Sequence, residues 1–215
     1  MKEHGQSDET HRIHTPDNTN DQDAKPKSVR DFNVASYNVR TLADSQNISN
    51  KLQQIVDGCE KYQIDIVSIQ EHRLKINEDI QIKHQLLANG WTLAHTNSNQ
   101  QSHGVAILYS KRISQLQPSV EFISNRVIAM HLKGNPKTCI VAVYAPTDAS
   151  KNEEGKDTFY NDLEDFLSSI PPHTVTIVAG DFNARIGEDS RETSPKIVGP
   201  NCYHKRTNAN GQRLI

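Results

Sequence analysis

The stretch TVTIVAGDFN, residues 174–183, decides the fold expected for this chain. Its β-branched run predicts a buried strand that ends at Gly180. A carboxylate, Asp181, and a carboxamide, Asn183, follow at once. In open α/β sheets, ligands bind beyond the carboxyl ends of strands, so we expect chemistry at this point. Taken alone, however, the same residues are typical of an ordinary turn.

Polar side chains also close three other predicted strands. These strands, with the side chains at their ends, are FNVASYNV (32–39) with Asn38 and Arg40, IDIVSIQ (64–70) with Glu71, and TCIVAVY (138–144) with Tyr144. Each side chain by itself is typical of a turn or of a solvated surface. Together with Asp181 and Asn183 they predict one site at one rim of the molecule.

The rest of the chain predicts helices and antiparallel strands. The predicted helices are residues 49–62, 156–169 and, from a weaker pattern, 80–87 with a helix stop at Asn89-Gly90. The further predicted strands are 91–95, 104–110 and 126–132, the last joined by a hairpin at 134–136 to the strand that ends at Tyr144. The sequence is irregular after Gly187, and an apolar segment begins at Arg213. Strands interspersed with helices imply two packed sheets with helices outside.

The 215 residues suit one domain with a sizeable core. We expect the polar residues 1–30 to form a disordered tail and residues 31–215 to form the domain. The net charge of −2 gives no overall attraction for nucleic acid. Residues 196–215 carry basic and no acidic side chains, a pattern that suits either phosphate contact or simple solvation.

Three cysteines without a CxxC pair argue against a disulfide framework and a zinc site, and they favour a reducing compartment. No apolar stretch is long enough to span a membrane, and the N-terminus lacks a signal-peptide core. We therefore expect a soluble intracellular protein.

The polar strand ends suit cleavage of a phosphodiester. Glu71 supplies a hard oxygen ligand for Mg²⁺, which needs only one or two carboxylates. Asn38, Asn183 and the Tyr144 hydroxyl would donate hydrogen bonds to the phosphate oxygens. Asp181 would orient or deprotonate the attacking water.

Five motifs occur in order along the chain. They are SYNV (36–39), IQEHRL (69–74), GVAIL (104–108), YAP (144–146) and GDFNARIG (180–187). In this series the chain resembles the endonuclease/exonuclease/phosphatase superfamily. The amino-acid sequences of these motifs are most similar to those of the endonuclease domain of non-LTR (LINE-type) retrotransposons and of host proteins derived from it.

The resemblance implies an α/β fold, the deoxyribonuclease I-like four-layer αββα sandwich. It also implies nicking of DNA with Mg²⁺ or Mn²⁺ and no small-molecule cofactor, in the nucleus, with a reverse transcriptase in a longer product. By position, Asn38 matches the asparagine near phosphate and metal, and Glu71 matches the metal-binding glutamate. Tyr144 matches the phosphate-contacting tyrosine, Asp181 the water-activating aspartate, and Asn183 the transition-state asparagine.

Two departures from the family pattern matter. Arg40 stands where abasic-site endonucleases carry an acidic residue, so a phosphate contact is expected there; Arg185 is a second candidate phosphate contact. The late Ser-Asp-His of the family is absent, and His204 is the only histidine after Asp181. We therefore expect a domain that is incomplete at its C-terminus and lacks the last strands of its second sheet.

Three functions follow from these residues. The first is a metal-dependent endonuclease, and the second is an inactive relic or binding protein that keeps the fold. The third is a phosphoesterase acting on lipid or inositol phosphates, which the retrotransposon-like wording argues against.

Overall fold

The computed structural model describes residues 31–43, 48–77, 79–99 and 103–215. The predicted polar tail, residues 1–30, lies outside the described residues, so its disorder stays a prediction. Within the described ranges the strands form two sheets that pack face to face.

The first sheet has five strands. They are β1 (Val34–Asn38), β2 (Ile66–Gln70), β3 (Lys83–Leu86), β4 (Thr92–His95) and β5 (Val105–Tyr109), in the spatial order β1-β2-β5-β4-β3. β1 and β2 are parallel, and the other pairs are antiparallel.

The second sheet has four strands. They are β6 (Ser119–Ser124), β7 (Val127–Leu132), β8 (Lys137–Tyr144) and β9 (Thr174–Asp181), in the spatial order β6-β7-β8-β9. β8 and β9 are parallel, whereas β7 and β8 form the antiparallel hairpin predicted at 134–136.

Alternation of side chains along the strands gives each sheet two apolar faces. The inner faces meet in a core that includes Ile107 of the first sheet and Ile128 of the second. Helix α1 (Ile48–Lys61) packs on the outer face of the first sheet. After the short helix α2 (Lys111–Ser114), helix α3 (Glu153–Ser169) packs on the outer face of the second sheet. These four layers confirm the predicted αββα sandwich.

The two parallel pairs bring four polar strand ends to one rim. In the first sheet Asn38 is in register with Gln70, the residue before Glu71. In the second sheet Tyr144 is in register with Asp181. Because parallel neighbours end at the same edge of a sheet, each sheet supplies a pair of candidate site residues.

The helix predicted for residues 80–87 is wrong. Residues 83–86 form β3, which pairs with β4 at the edge of the first sheet. Leu86 is 75% exposed, so the apolar residues that suggested a helix do not share a buried face. Asn89-Gly90 lies in the turn between β3 and β4, with Gly90 at a φ of 85°, rather than ending a helix.

The sequence did not predict β6, the helix of residues 209–214, the short helix α2 or the 3-10 turn Glu188–Ser190. β6 was not predicted because the burial of its side chains alternates only weakly, between exposed and half-buried residues. Residues 209–214, expected to be irregular and then apolar, form helix α4 (Ala209–Leu214), whose Arg213 forms ion pairs with Glu153 and Asp157 of α3.

β1 and β9 are outer strands of the two sheets and pack against each other across the sandwich. No described strand pairs with the outer side of β9. The expectation that further strands are missing stays a prediction. None of the helices in the described ranges has the length and apolar character needed to cross a membrane.

Candidate active site

One asparagine joins the two candidate carboxylates, which come from different sheets. Asn38 Nδ2 donates to Glu71 Oε1 at 2.8 Å and to Asp181 Oδ2 at 3.1 Å. The carboxamide oxygen of Asn38 accepts a hydrogen bond from the backbone N–H of Arg40 at 3.0 Å, which fixes its orientation. Residues separated by 143 positions in sequence therefore meet at one point of the rim.

Glu71 is surrounded by donors and positive charge. Besides Asn38, the Tyr144 hydroxyl donates to it, and Arg73 Nη2 and His103 Nδ1 lie 3.5 and 3.9 Å from its Oε2. Partial burial works to raise the pKa of Glu71, but the hydrogen bonds and the charge of His103 outweigh it and lower the pKa below its usual value. Glu71 is therefore held ionised, as a metal-binding carboxylate must be.

Tyr144 is held as a neutral hydrogen-bond donor. Burial, followed by the charge of Glu71, raises the pKa of its hydroxyl to about 12. The Arg126 guanidinium carbon lies 5.4 Å from the centre of the tyrosine ring, and its Nη1 donates to the Tyr144 carbonyl at 3.0 Å. The His103 ring stacks near the same ring, with the centroids 6.5 Å apart. These contacts fix the direction in which the hydroxyl points.

Asp181 and Asn183 are fixed by the turn that follows β9. The backbone N–H of Asn183 donates to Asp181 Oδ1 at 2.9 Å, and Asn183 Nδ2 donates to the Ala145 carbonyl at 2.9 Å. The Ala145 N–H in turn donates to the Asp181 carbonyl. The amide of Asn183 has a second N–H beyond the one engaged by Ala145, and that N–H can serve a ligand.

Backbone strain is concentrated at this rim. Arg40, Glu71, Arg73 and Asn183 adopt φ angles of 59°, 57°, 58° and 46°. This left-handed conformation is uncommon for residues with a side chain, and it persists only where surrounding contacts enforce it. Here those contacts include Glu71 N–H to the Gly104 carbonyl at 3.1 Å and Arg73 N–H to the His103 carbonyl at 2.8 Å.

The loop that carries His103 rests on a buried histidine. Gly104 has a φ of 83°, and a Cβ there would lie 2.3 Å from His72 Nε2. Burial, with a smaller contribution from the charge of His95, lowers the pKa of His72 to about 3. A neutral imidazole therefore packs under the loop, and its Nδ1 accepts the N–H of Leu74 at 2.9 Å.

Two further asparagines, from the segment before and within α4, hold the turn at Asn183. Asn208 Oδ1 accepts the N–H of Arg185 at 2.8 Å, and Asn208 Nδ2 donates to the Asn183 carbonyl at 3.2 Å. The fully buried Asn210 donates through Nδ2 to the same carbonyl at 3.2 Å and to the Pro146 carbonyl at 2.8 Å. Asn210 thereby ties the loop after Tyr144 to the loop after Asp181.

The structure brings five of the predicted site residues together: Asn38, Glu71, Tyr144, Asp181 and Asn183. Arg40 and Arg185 are on the same loops, but both are exposed. Within the described ranges neither of their side chains forms an ion pair with Glu71 or Asp181. Their role as phosphate contacts stays a prediction.

Sequence reasoning missed Arg73, His103, Arg126, Asn208 and Asn210. Arg73 lies inside the IQEHRL motif and was available as a signal. The others lie on loops, before a strand or in the short helix α4, far along the chain from the residues they contact, so their local sequence does not indicate a role at the site.

The donor set fits a divalent cation that prefers oxygen. In the described part of the chain no three His, Cys, Asp or Glu side chains cluster as a metal site. Mg²⁺ keeps most of its waters and needs only one or two carboxylates, and Glu71 and Asp181 supply these. Asn38 presents its NH₂ group to them, so its oxygen would bind a metal only after releasing the Arg40 N–H.

Comparisons with known proteins agree with this architecture. The structure resembles the AP endonuclease LMAP from Leishmania major, with a TM-score of 0.56, 13% identity, and coverage of 85% of this chain and 64% of that one. It also resembles the Xenopus laevis APE2 catalytic domain, with a TM-score of 0.50, 14% identity, and coverage of 84% and 66%. At these identities the likeness is one of fold.

Sequence similarity extends to craniofacial development protein 2. The Bos taurus protein is 28% identical over 191 residues, which are 86% of this chain and 29% of that protein. The Tragulus javanicus protein is 27% identical, over 86% of this chain and 30% of that protein. The chain thus spans less than a third of the length of these relatives.

The profile of the Endonuclease/Exonuclease/phosphatase family matches residues 35–206. That range includes every residue of the rim described above except Asn208 and Asn210. The chain belongs to the endonuclease/exonuclease/phosphatase family.

Proposed function

We propose that this chain is a divalent-metal-dependent phosphodiesterase that nicks DNA. The observation that carries the proposal is the hydrogen bonding of one Asn38 amide to both Glu71 and Asp181. It supports a single site in which an ionised carboxylate, a second carboxylate and several fixed donors face the same space. A phosphodiester needs such an arrangement because charge builds up on its oxygens during attack by water.

The side chains have distinct parts in this proposal. Asp181 takes the proton of the attacking water or orients that water, a contribution typically worth about 10² to 10⁴ in rate. Asn183 and the neutral Tyr144 hydroxyl donate to the non-bridging oxygens. Asn38 holds the carboxylates in place and donates as charge develops.

Glu71, with Asp181 beside it, would hold Mg²⁺ or Mn²⁺. When bound, the ion would polarise the phosphoryl oxygen and neutralise developing negative charge. The lowered pKa of Glu71 supports this assignment, because its carboxylate stays available to a cation down to acidic pH.

The amino-acid sequences of the motifs support a retroelement origin, and this origin in turn supports DNA as the substrate. On the same basis we propose action in the nucleus and, in a longer product, association with a reverse transcriptase domain. The competing proposal is an inactive relic that retains nucleic-acid or protein binding, and the experiment below separates the two.

The test is nicking of supercoiled plasmid with Mg²⁺ by the wild-type chain, Asp181→Asn, Glu71→Gln and a control, Lys137→Gln. Lys137 begins β8, at the opposite end of that strand from Tyr144. We expect the wild type and the control to nick equally, and each rim variant to lose about 10² or more in rate. Nicking that is absent from the wild type, or insensitive to Asp181, would contradict the proposal. Retained DNA binding without nicking would favour the relic.

A further inference from the structure

Two adjoining cavities beside Glu71 share the side chains of Arg73 and Lys75. One has a volume of about 450 Å³ and is also lined by Lys83, Gln85 and His95. The other has a volume of about 480 Å³ and is also lined by Asn97, Asn99 and His103. No Asp or Glu lines either cavity. Arg73, Lys75 and Lys83 are together called the basic track.

The basic track lies at the same end of the first sheet as the candidate active site. Lys83 is in register with His95 of β4, His95 with Ala106 of β5, and Ala106 with Ile69 of β2, two residues before Glu71. Neighbouring strands lie about 4.8 Å apart, so Lys83 is roughly 14 Å from the β2 end of this row. One strand of duplex DNA advances about 3.4 Å per nucleotide along the helix axis, so a duplex whose axis runs parallel to this row advances roughly four nucleotides over the span.

The two lysine charges of the track are available to a ligand. Lys75 and Lys83 are exposed, and within the described ranges neither forms an ion pair. Arg73 Nη2 lies 3.5 Å from Glu71 Oε2, so it connects the track to the carboxylates. Burial lowers the pKa of His95, and the charge of Lys83 adds to that effect, so the cationic character of the first cavity comes from the track itself.

The concave shape distinguishes this feature from a solvated basic surface. Scattered surface lysines share no concave site, whereas here two cavities flank a pair of basic side chains, one of which contacts Glu71. The net charge of the whole chain is −2, so attraction for a polyanion must come from local clusters such as this one.

We propose that Arg73, Lys75 and Lys83 bind the phosphates that flank the scissile one along a DNA strand. This inference rests on the proposed function and deepens it. It makes the substrate a polynucleotide of at least several residues, because a lipid or inositol phosphodiester has no row of phosphates that reaches from Glu71 to β3.

The experiment is equilibrium binding of a fluorescent 20-base-pair duplex by anisotropy, without divalent metal, over a range of NaCl concentrations. The proteins are the wild-type chain, Lys75→Gln, Lys83→Gln, the double variant, and Lys137→Gln as the control. Each lost phosphate contact makes the plot of log affinity against log salt shallower by about 0.9. We expect that change for each single variant, twice that change for the double variant, and none for Lys137→Gln.

Slopes for Lys75→Gln and Lys83→Gln that equal those of the wild type and the control would overturn the proposal. The two proposals fail separately, because binding is measured without metal and without cleavage. A wild-type chain that does not nick plasmid would contradict the proposed function, while the salt slopes would still decide whether the basic track binds DNA.

Discussion

At the scale of single residues, the rim depends on asparagine side chains that each satisfy several groups. Asn38 donates to two carboxylates, and Asn208 and Asn210 both donate to the carbonyl of Asn183. An amide suits these places because it offers two donors without adding a charge beside Glu71 and Asp181. A lysine there would compete with a metal cation, and a third carboxylate would repel the two already present.

Asn210→Ala should reduce nicking without abolishing the fold. The change removes the donor shared by the Pro146 and Asn183 carbonyls. The buried Pro146 carbonyl loses this partner, at a cost of about 1–3 kcal/mol in the free energy of unfolding, whereas the Asn183 carbonyl keeps the Asn208 amide. Because Asn183 would then shift relative to Asp181, we expect kcat to fall about tenfold or more while KM changes little. Steady-state nicking and urea unfolding measure the two effects.

Exposed Asn161 of α3 provides the matched control, since Asn161→Ala also removes an amide but lies away from the rim. An Asn210→Ala enzyme whose kcat equals that of the control would contradict the positioning role. So would a defect confined to KM.

The residues at the strand ends could be predicted from the sequence, whereas their supports could not. Glu71 and Asp181 follow apolar runs, and a polar residue directly after such a run can be recognised from the amino-acid sequence alone. Asn210 contacts Asn183 across 27 positions and a loop of irregular structure. Only the path of the chain in space brings them together.

At the scale of elements, two pairs of parallel strands position the candidate site residues at one rim. β1 with β2, and β8 with β9, each deliver neighbouring strand ends to the same edge. The strands predicted correctly are those with strong apolar alternation or buried runs. β3 could not be predicted, because its four residues are all exposed and it is a strand only by pairing with β4.

Val175→Lys should reduce self-association of the chain. Val175 is 46% exposed on β9, and no described strand pairs with the outer side of β9. An apolar strand with free backbone groups pairs readily with another molecule, and a lysine on the edge opposes this. We expect a smaller weight-average mass in sedimentation velocity across a concentration series.

Ser168→Lys, at an exposed position of α3, adds the same charge away from the edge and should leave the mass unchanged. If both variants sediment like the wild type, β9 is not an association surface. If both are equally dispersed, net charge rather than edge pairing is the cause.

At the scale of the whole molecule, three apolar cores lie between four layers of helices and strands. The order of apolar runs in the sequence predicted two packed sheets with helices outside. What did not follow was the internal support of the rim by buried polar groups. His72 is fully buried beneath the Gly104 loop, and its neighbour His95 is nearly so. Burial of a histidine links the stability of the fold to pH, because the unfolded chain is free to take up a proton that the folded chain rejects.

Stability should therefore fall as the pH drops below about 6.5. The unfolded His72 binds a proton near its ordinary pKa of 6.5, whereas the folded His72 does so only near 3. Its contribution is complete above pH 6.5 and declines through the interval down to about 3. At pH 5.5 the loss from this residue is about 1.4 kcal/mol. Urea unfolding at pH 7.5 and 5.5 measures it.

His72→Asn isolates this effect, because an asparagine oxygen can still accept the N–H of Leu74 while the side chain no longer titrates. The change in stability between the two pH values should be smaller for the variant by that amount. Equal pH dependence in the two proteins would show that His72 is not the responsible group.

The hydrogen bonds from Asn38 to Glu71 and Asp181 join the two sheets, and this has a consequence for substitutions in the core. Each layer of strands carries one of the two acids, so the gap between the acids is set by how the layers slide and tilt on each other. A methyl group gained or lost between Ile107 and Ile128, deep inside, shifts that alignment. For the proposed nuclease, substitutions at buried positions such as Ile107 and Ile128 are therefore expected to change the rate of cleavage, although they are far from solvent.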